Sequence, residues 1–277
     1  MRTARLVLLD WLRACIAAFQ FLTRLPIPVQ IAYTDRVFQR SVSFYPLAGF
    51  VIGLLLVLAC QGLSLILPPM PAAIVLLTFW VVLTGGLHLD GLMDTADGIL
   101  SHRPREQMLE IMKDSRVGAM GVIVCVLHVL LKFSLLYTIL ERVQMEGWEG
   151  ASLLLTVVPI WSRWFMVAAI CGWPYARKES GLGSLFRGVT KWHLAFSTFL
   201  ALVTTMLFTY MCEPISTSLH VFSIFSVPIG FAIVTFVIGW VIAMYMSRKL
   251  GGLTGDTYGA LNELLEVLLL LGLTAIL

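Results

Sequence analysis

The sequence predicts an all-α polytopic membrane protein, a bundle of about seven transmembrane helices with an N-terminal amphipathic helix in the membrane interface. Of the 277 residues, 59% are hydrophobic and 13% are charged. Soluble domains average about 45–50% apolar and about 25% charged residues. No polar linker separates two folding units, so we predict one integral-membrane catalytic domain over residues 1–277.

Seven apolar segments approach the length of about 20 residues that a membrane helix needs. They are residues 44–67, 71–88, 117–140, 151–172, 192–212, 221–246 and 260–277. Residues 5–22 have apolar side chains at helical spacing and predict an amphipathic helix in the interface. A first transmembrane helix is the alternative there, but Asp10 and Arg13 near its middle argue against it.

The basic residues predict the orientation in the membrane, because Lys and Arg are enriched in cytoplasmic loops. With a cytoplasmic N-terminus, the cytoplasmic segments are 1–43, 89–116, 173–191 and 247–259. They hold 16 of the 19 Lys and Arg residues. We therefore expect a multi-pass protein of the inner (cytoplasmic) membrane whose candidate motifs all face the cytoplasm.

The first candidate site is His88–Gly98, directly after the second predicted span. On a helix, the spacing of Asp90, Asp94 and Asp97 places the three acids on one face. Three like charges repel unless a cation neutralises them, and Mg²⁺ binds carboxylates together with substrate phosphates. We predict a Mg²⁺ site here. His88 is a candidate substrate-binding residue, with a helix-end histidine whose hydrogen bonds are satisfied within the protein as the alternative. A solvated acidic loop is the alternative.

The second candidate, Met112–Gly121, lies just before the third predicted span. Lys113 and Arg116 are suited to neutralising a phosphate group. Asp114 between them is a candidate metal ligand or base. A basic flank of the helix would explain the two cations but not the acid, so we predict catalytic roles for all three.

The third candidate is Gly251–Glu263, where four glycines in nine residues predict a loop whose amides can hold an anion. Asp256 is a candidate catalytic residue, and Gly255, Asn262 and Glu263 are candidate substrate-binding residues. Polar and ionisable side chains are costly in an apolar helix and indicate a functional site. A helix cap that places acids at the helix dipole is the alternative.

Three basic residues stand outside these motifs. Arg24 is a candidate substrate-binding residue, with a position at the lipid headgroups as the alternative. Arg163 lies inside a span, so we expect it to face the bundle interior and pair with an acid or with substrate. The sequence leaves the roles of Lys132 and Arg163 open.

Five stretches resemble the cobalamin synthase family of adenosylcobinamide-GDP ribazoletransferases. They are Phe21–Pro28, Phe44–Leu47, Gly85–Gly98, Met112–Gly121 and Gly252–Glu263. The patterns Leu-Asp-Gly-Leu-x-Asp-Thr-x-Asp-Gly and Thr-Gly-Asp-Thr-x-Gly-Ala-x-Asn-Glu are specific, and the resemblance covers the chain from near residue 19 onward. Tyr45 and Met93 depart mildly from the family pattern, and neither is a proposed ligand.

The resemblance implies a Mg²⁺-dependent enzyme of the inner membrane. It implies that adenosylcobinamide-GDP is joined to α-ribazole or its 5′-phosphate, which gives adenosylcobalamin or its 5′-phosphate and GMP. Phosphoryl transfer of this kind depends on positioning and charge neutralisation. On this hypothesis the three acids of the first motif hold Mg²⁺ on the pyrophosphate, and the two cations of the second balance the leaving phosphate. Asp114 or Asp256 then orients or deprotonates the attacking ribose hydroxyl.

Two other functions are weighed against this one. A CDP-alcohol phosphotransferase also uses membrane-face aspartates, but its Asp-Gly-x-x-Ala-Arg run is absent after Asp90-Gly91. An ion-coupled transporter would have internal repeats and acids near the midplane, and neither is evident. We expect the lipid bilayer as a partner and no nucleic acid, and the sequence leaves open whether the protein forms a homo-oligomer.

Overall fold

The computed structural model describes residues 2–146, 149–177, 182–212 and 220–274 of the chain. Within these ranges the regular structure is helical, and β-type pairing is limited to an isolated bridge between Tyr175 and Leu253. The α-helices are α1 Arg2–Leu22, α2 Asp35–Ser41, α3 Tyr45–Ile66, α4 Pro69–Thr84, α5 Leu87–Leu100, α6 Arg105–Ile111, α7 Ala119–Glu146, α8 Glu149–Gly172, α9 Lys191–Cys212, α10 His220–Leu250 and α11 Gly255–Thr274. Two short 3₁₀ turns are also present: Val42–Phe44 lies between α2 and α3, and Leu182–Gly188 lies between α8 and α9.

Five segments are long and apolar enough to cross a membrane. They are Asp35–Ile66, Ala119–Met145, Leu155–Gly172, Lys191–Cys212 and Ile224–Leu250. The prediction of an all-α polytopic membrane protein is confirmed. Its count of about seven spans is approximate, since the described residues contain five such segments, or six if α4 and α5 together form one. The predicted span 260–277 corresponds to α11, and its last three residues lie outside the described ranges.

A sharp break separates α4 from α5. The predicted span 71–88 therefore covers most of α4 but runs past the break into the first two residues of α5. Gly85 and Gly86 have φ angles of 67° and 68°, in the left-handed region that glycine adopts without steric penalty. The axes of the two helices differ by 88°. Helix α5, which carries His88 in its first turn, is therefore not a continuation of α4 and is outside the five segments above.

The predicted N-terminal helix is present as α1. Ala17 is fully buried against the neighbouring helices, whereas Leu8 on the opposite face is 62% exposed. Asp10 pairs with Arg40 of α2 at 3.3 Å, which explains an acid in this helix. Helix α1 is not among the five segments above, and its location in the membrane interface stays a prediction.

Helix α8 is at the centre of the bundle, because most of its membrane-crossing residues are buried while the other such helices expose apolar side chains. Close contact with α3 depends on small residues, as is common where membrane helices pack. At Gly53 of α3, an added Cβ would lie 2.5 Å from the Cα of Thr156 in α8. At Gly62, near the C-terminal end of the same helix, nothing lies within 4 Å of an added Cβ.

The packing of α3 on α8 predicts opposite effects of two Gly→Ala substitutions. Gly53→Ala should destabilise the protein by about 1–3 kcal/mol, because the methyl group forces the two backbones apart. Gly62→Ala should be neutral or stabilising by up to about 1 kcal/mol, because alanine favours the helix. Thermal denaturation of both variants in the same detergent measures the difference, and equal melting temperatures would contradict the close contact.

Candidate active site

Helix α5 brings together the three motifs that are far apart in the sequence. The carboxylate of Asp97 accepts hydrogen bonds of 2.7 Å from the backbone N–H groups of Gly118 and Gly121, at the start of α7. Gly91 lies against the first turn of α11, where an added Cβ would be 2.7 Å from the carbonyl oxygen of Asp256. The glycine at position 91 therefore accommodates a second backbone.

A fourth stretch, after α8, joins this assembly. The N–H of Ala176 donates to the Leu253 carbonyl at 2.8 Å, and the N–H of Leu253 donates to the Pro174 carbonyl at 2.9 Å. This pairing brings the next residue, Arg177, to Asp256, where its guanidinium donates to the carboxylate at 2.8 Å. The side chain of Arg177 is 13% exposed.

A cavity of about 220 Å³ lies where α5, α11 and the Arg177 stretch meet. Its polar side chains are His88, Asp90, Arg177 and Asp256. Its apolar and aromatic lining comes from Phe21, Leu87, Met166, Ile170, Tyr175, Phe186 and Tyr258, with Gly91, Gly255 and Gly259 completing the wall. The cavity thus combines charged groups with an apolar wall, as small-molecule sites commonly do.

The acids around this cavity carry more negative charge than their surroundings neutralise. Burial, together with the nearby carboxylates of Asp90, Asp256 and Asp97, raises the pKa of Asp94 to about 6, while Arg177 acts in the opposite direction. A half-buried acid whose pKa is raised by like charges is typical of functional sites. The same surplus of negative charge favours binding of a cation.

The oxygen ligands at this site suit Mg²⁺, but the described residues do not form a complete protein cage. Among them, no three His, Cys, Asp or Glu side chains are grouped closely enough to hold a metal ion on their own. Mg²⁺ usually keeps several waters and binds one or two carboxylates plus substrate phosphates. Asp90 and Asp94 therefore fit a metal that a phosphorylated substrate helps to bind. Asp97 already uses both carboxylate oxygens on backbone N–H groups.

The second motif lies on an exposed loop beside the site. The guanidinium of Arg116, 88% exposed, binds the carboxylate of Asp114 at 2.7 Å. Hydrogen bonds from the side chain and the backbone N–H of Arg116 lower the pKa of Asp114 to about 2. Lys113 lies 3.9 Å from Glu110. None of the three predicted residues is part of the cavity lining, so their catalytic roles stay predictions.

The five predicted substrate-binding residues lie in three places. His88 and Gly255 line the cavity, whereas Asn262 and Glu263 are buried behind it. Arg24 lies at the break between α4 and α5: its backbone N–H donates to the Leu83 carbonyl at 2.7 Å, and its side chain contacts Gly85.

Comparison with known proteins assigns the family. The family model described as cobalamin-5-phosphate synthase matches residues 14–274. The chain belongs to this family. It is 40% identical to the adenosylcobinamide-GDP ribazoletransferase of Desulforamulus reducens over 92% of this chain and 95% of the relative. The enzyme of that name from Desulfitobacterium hafniense is also 40% identical, over 92% and 94%, and the one from Brevibacillus brevis is 36% identical over 94% and 97%.

No solved structure matches the chain. The family match confirms the resemblance on which the sequence analysis relied, and with it the prediction of an enzyme. It favours a cobalamin-5-phosphate synthase over the CDP-alcohol phosphotransferase and the transporter considered as alternatives.

In this cobalamin-5-phosphate synthase family member, a network of buried charges lies behind the cavity. Glu266 of α11 accepts hydrogen bonds from Lys132 of α7 at 2.5 Å and from Arg163 of α8 at 2.7 Å. Glu263 accepts a second bond from Lys132 at 3.0 Å and contacts His128 at 2.9 Å. The expectation that Arg163 faces the interior and pairs with an acid is confirmed. Lys132 also pairs with acids, which explains its deep position.

Arg177 is the cavity residue that the sequence analysis missed. It is one of four basic residues in the segment 173–191 and belongs to none of the three motifs. Only its pairing with Asp256 and its hydrogen bond to the Met112 carbonyl at 3.4 Å distinguish it from its neighbours. Both contacts are formed across long sequence separations, so no local pattern identifies this residue.

The contacts of Asp97 predict a structural role besides any role in metal binding. Asp97→Ala leaves two backbone N–H groups without their acceptors, so we expect the free energy of unfolding to fall by about 1–2 kcal/mol. Asp97→Asn keeps one acceptor oxygen and should recover part of this loss. Thermal denaturation in detergent measures the change. Glu106→Ala, which removes an exposed acid of α6, is the control, and equal stability of the two alanine variants would contradict the prediction.

Proposed function

We propose that this protein joins adenosylcobinamide-GDP to α-ribazole or its 5′-phosphate, giving adenosylcobalamin or its 5′-phosphate and releasing GMP. The observation that carries the proposal is the cavity in which Asp90, Asp256 and Arg177 meet, in a chain whose relatives are named for this activity. An acid cluster with a largely buried arginine suits a pyrophosphate substrate, because its phosphates need both a cation and hydrogen-bond donors.

In the proposed reaction, a ribose hydroxyl attacks the phosphorus nearer to cobinamide. A new P–O bond forms there, the bond between this phosphorus and the bridging oxygen of the pyrophosphate breaks, and GMP leaves with that oxygen and the electron pair of the broken bond. The hydroxyl proton passes to a carboxylate. Each of the two candidates for this base pairs with an arginine, but Asp256 lines the cavity, whereas Asp114 lies on an exposed loop outside the lining. We therefore favour Asp256.

Asp90 and Asp94 would hold Mg²⁺ on the pyrophosphate, with Asp97 as the third candidate ligand. When bound, the ion neutralises charge on the phosphate oxygens and helps to orient them. Arg177 lies in the cavity lining and would bind the leaving phosphate there. Lys113 and Arg116 would add positive charge beside the site, since both side chains are exposed to solvent.

We place this reaction at the cytoplasmic face of the inner membrane. Asp90, Arg177 and Asp256 lie in the segments that hold 16 of the 19 basic residues, and basic residues favour the cytoplasmic side. The hydrophobic spans and the cavity at the ends of their helices are consistent with a soluble substrate reaching a membrane enzyme from one side.

The proposed activity predicts Mg²⁺-dependent release of GMP. Purified protein in liposomes is supplied with adenosylcobinamide-GDP and α-ribazole 5′-phosphate, with and without Mg²⁺, and both GMP and the corrinoid product are quantified. We expect equal amounts of the two products, and none after chelation of the metal. A folded, lipid-supplied protein that forms neither product would contradict the proposal, and CDP-alcohol substrates would then be tested.

Asp94 provides a test of the proposed metal site. Asp94→Asn keeps the size of the side chain but weakens a Mg²⁺ ligand, so we expect turnover to be abolished while expression and melting temperature are unchanged. The matched control is Asp35→Asn, the same substitution at an exposed acid that starts α2. A fully active Asp94→Asn enzyme would rule out the proposed role of Asp94 in metal binding.

A further inference from the structure

The candidate cavity has two kinds of lining, which come from different parts of the chain. Its charged side chains belong to α5, to α11 and to the stretch that carries Arg177. A second set of side chains is apolar and comes from the last turn of α1, from the 3₁₀ turn before α9 and from α8: Phe21, Phe186, Met166 and Ile170. The charged lining suits substrate phosphates, whereas the apolar lining suits a different chemical group.

Three rings, those of Phe21, Phe186 and Tyr258, form an aromatic wall of the cavity. The Phe186 and Tyr258 rings lie edge to face, with their centroids 6.1 Å apart. Phe38, a buried residue outside the lining, contacts Phe21 at 5.3 Å and Phe186 at 5.1 Å between ring centroids. Core packing therefore supports the aromatic wall, which is formed before any ligand binds.

The size of the cavity limits what it can hold. Its volume of about 220 Å³ is below the range of about 300–1,000 Å³ that is typical of sites for whole drug-sized ligands. The corrin ring system of adenosylcobinamide is larger than such a cavity. The cavity is therefore suited to one smaller group of a substrate.

The substrates of the proposed reaction contain two smaller aromatic groups, and these differ in polarity. Guanine has a carbonyl group, an amino group and a ring N–H, whereas the dimethylated benzimidazole of α-ribazole has one free ring nitrogen and otherwise carbon edges. Burying a polar group without a hydrogen-bond partner costs free energy. The side chains of Phe21, Phe186 and Ile170 have no nitrogen or oxygen, so this lining favours benzimidazole over guanine.

The position of Asp256 indicates the same substrate. Asp256 is favoured above as the acceptor of the proton from the attacking ribose hydroxyl, and it lines the same cavity as the aromatic wall. In the sequence of α11 it precedes Tyr258 by two residues. The benzimidazole base is attached to the ribose that carries this hydroxyl. A base bound at the aromatic wall would therefore keep its ribose close to the Asp256 carboxylate.

We propose that the aromatic wall binds the benzimidazole base of α-ribazole or its 5′-phosphate and so positions the ribose hydroxyl for attack. The identity of this ligand rests on the proposed function, which names the substrate. Stacking on aromatic side chains stabilises any flat base. The preference for benzimidazole comes instead from the apolar lining, which leaves the polar edge of a guanine without hydrogen-bond partners.

The first test measures binding without turnover. Radiolabelled α-ribazole is equilibrated with the purified protein in liposomes, and bound ligand is quantified by equilibrium dialysis. We expect Phe21→Leu to raise the Kd by about 5–100-fold, the range found when an aromatic side chain that stacks on a base is removed. The matched control is Phe19→Leu, at another half-buried phenylalanine of α1 that does not line the cavity, and its Kd should stay within about 3-fold.

Guanosine provides a competitor in the same experiment. We expect an excess of guanosine to leave bound α-ribazole in place, because guanine does not suit the apolar lining. Displacement by guanosine as effective as that by unlabelled α-ribazole would overturn the proposal. So would a folded, unmodified protein that does not bind α-ribazole.

The second test follows turnover with Phe186→Leu. We expect its KM for α-ribazole 5′-phosphate to rise by about 5–100-fold, with the KM for adenosylcobinamide-GDP within about 3-fold. The control is Phe208→Leu, because Phe186 and Phe208 are both 7% exposed and Phe208 lies on α9, away from the cavity lining. Both KM values of the control should stay within about 3-fold of the unmodified enzyme.

The outcomes separate this subsite from the proposed reaction. Unchanged KM values in folded Phe186→Leu, an equal rise in the control, or a rise confined to adenosylcobinamide-GDP would overturn the proposal. Binding of α-ribazole that depends on Phe21, in a protein that releases no GMP, would support the subsite and contradict the proposed function.

Discussion

The neutralisation of two carboxylates inside the helix bundle is the constraint on which the rest of the structure depends. Glu263 and Glu266 lie one helical turn apart on α11, and both are buried. Unpaired charges there would cost several kcal/mol each. Lys132 from α7 and Arg163 from α8 supply the opposite charges. These pairs set the rotation of α11 relative to both neighbouring helices.

The rotation of α11 in turn positions the cavity. Asn262, on the same helix, faces α5 and reaches His88, while Asp256 in the first turn lies against Gly91. A side chain at position 91 would prevent this approach, so the glycine is required where the two backbones meet. The polar interior of the bundle and the candidate active site are therefore parts of one hydrogen-bonded arrangement.

The acids of α5 repel one another, an arrangement that would not be favoured by stability alone. Asp90, Asp94 and Asp97 share a helix face with little positive charge close by, and burial raises the pKa of Asp94. Local rules of stability are most often violated at functional sites. Asp97 is partly relieved because it binds the N–H groups that begin α7. The remaining surplus charge fits a cation and a phosphorylated substrate.

The sequence alone determined the helical membrane class and the motif residues of the candidate site, because hydropathy and helical spacing depend on residues within about 20 positions of one another. It did not reveal the break at Gly85-Gly86, which divides a predicted span. Nor did it distinguish Arg177, in the cavity, from the solvent-exposed Arg116. Only the tertiary structure decided these points and paired Glu266 with Arg163, because each depends on distances between helices that no local pattern encodes.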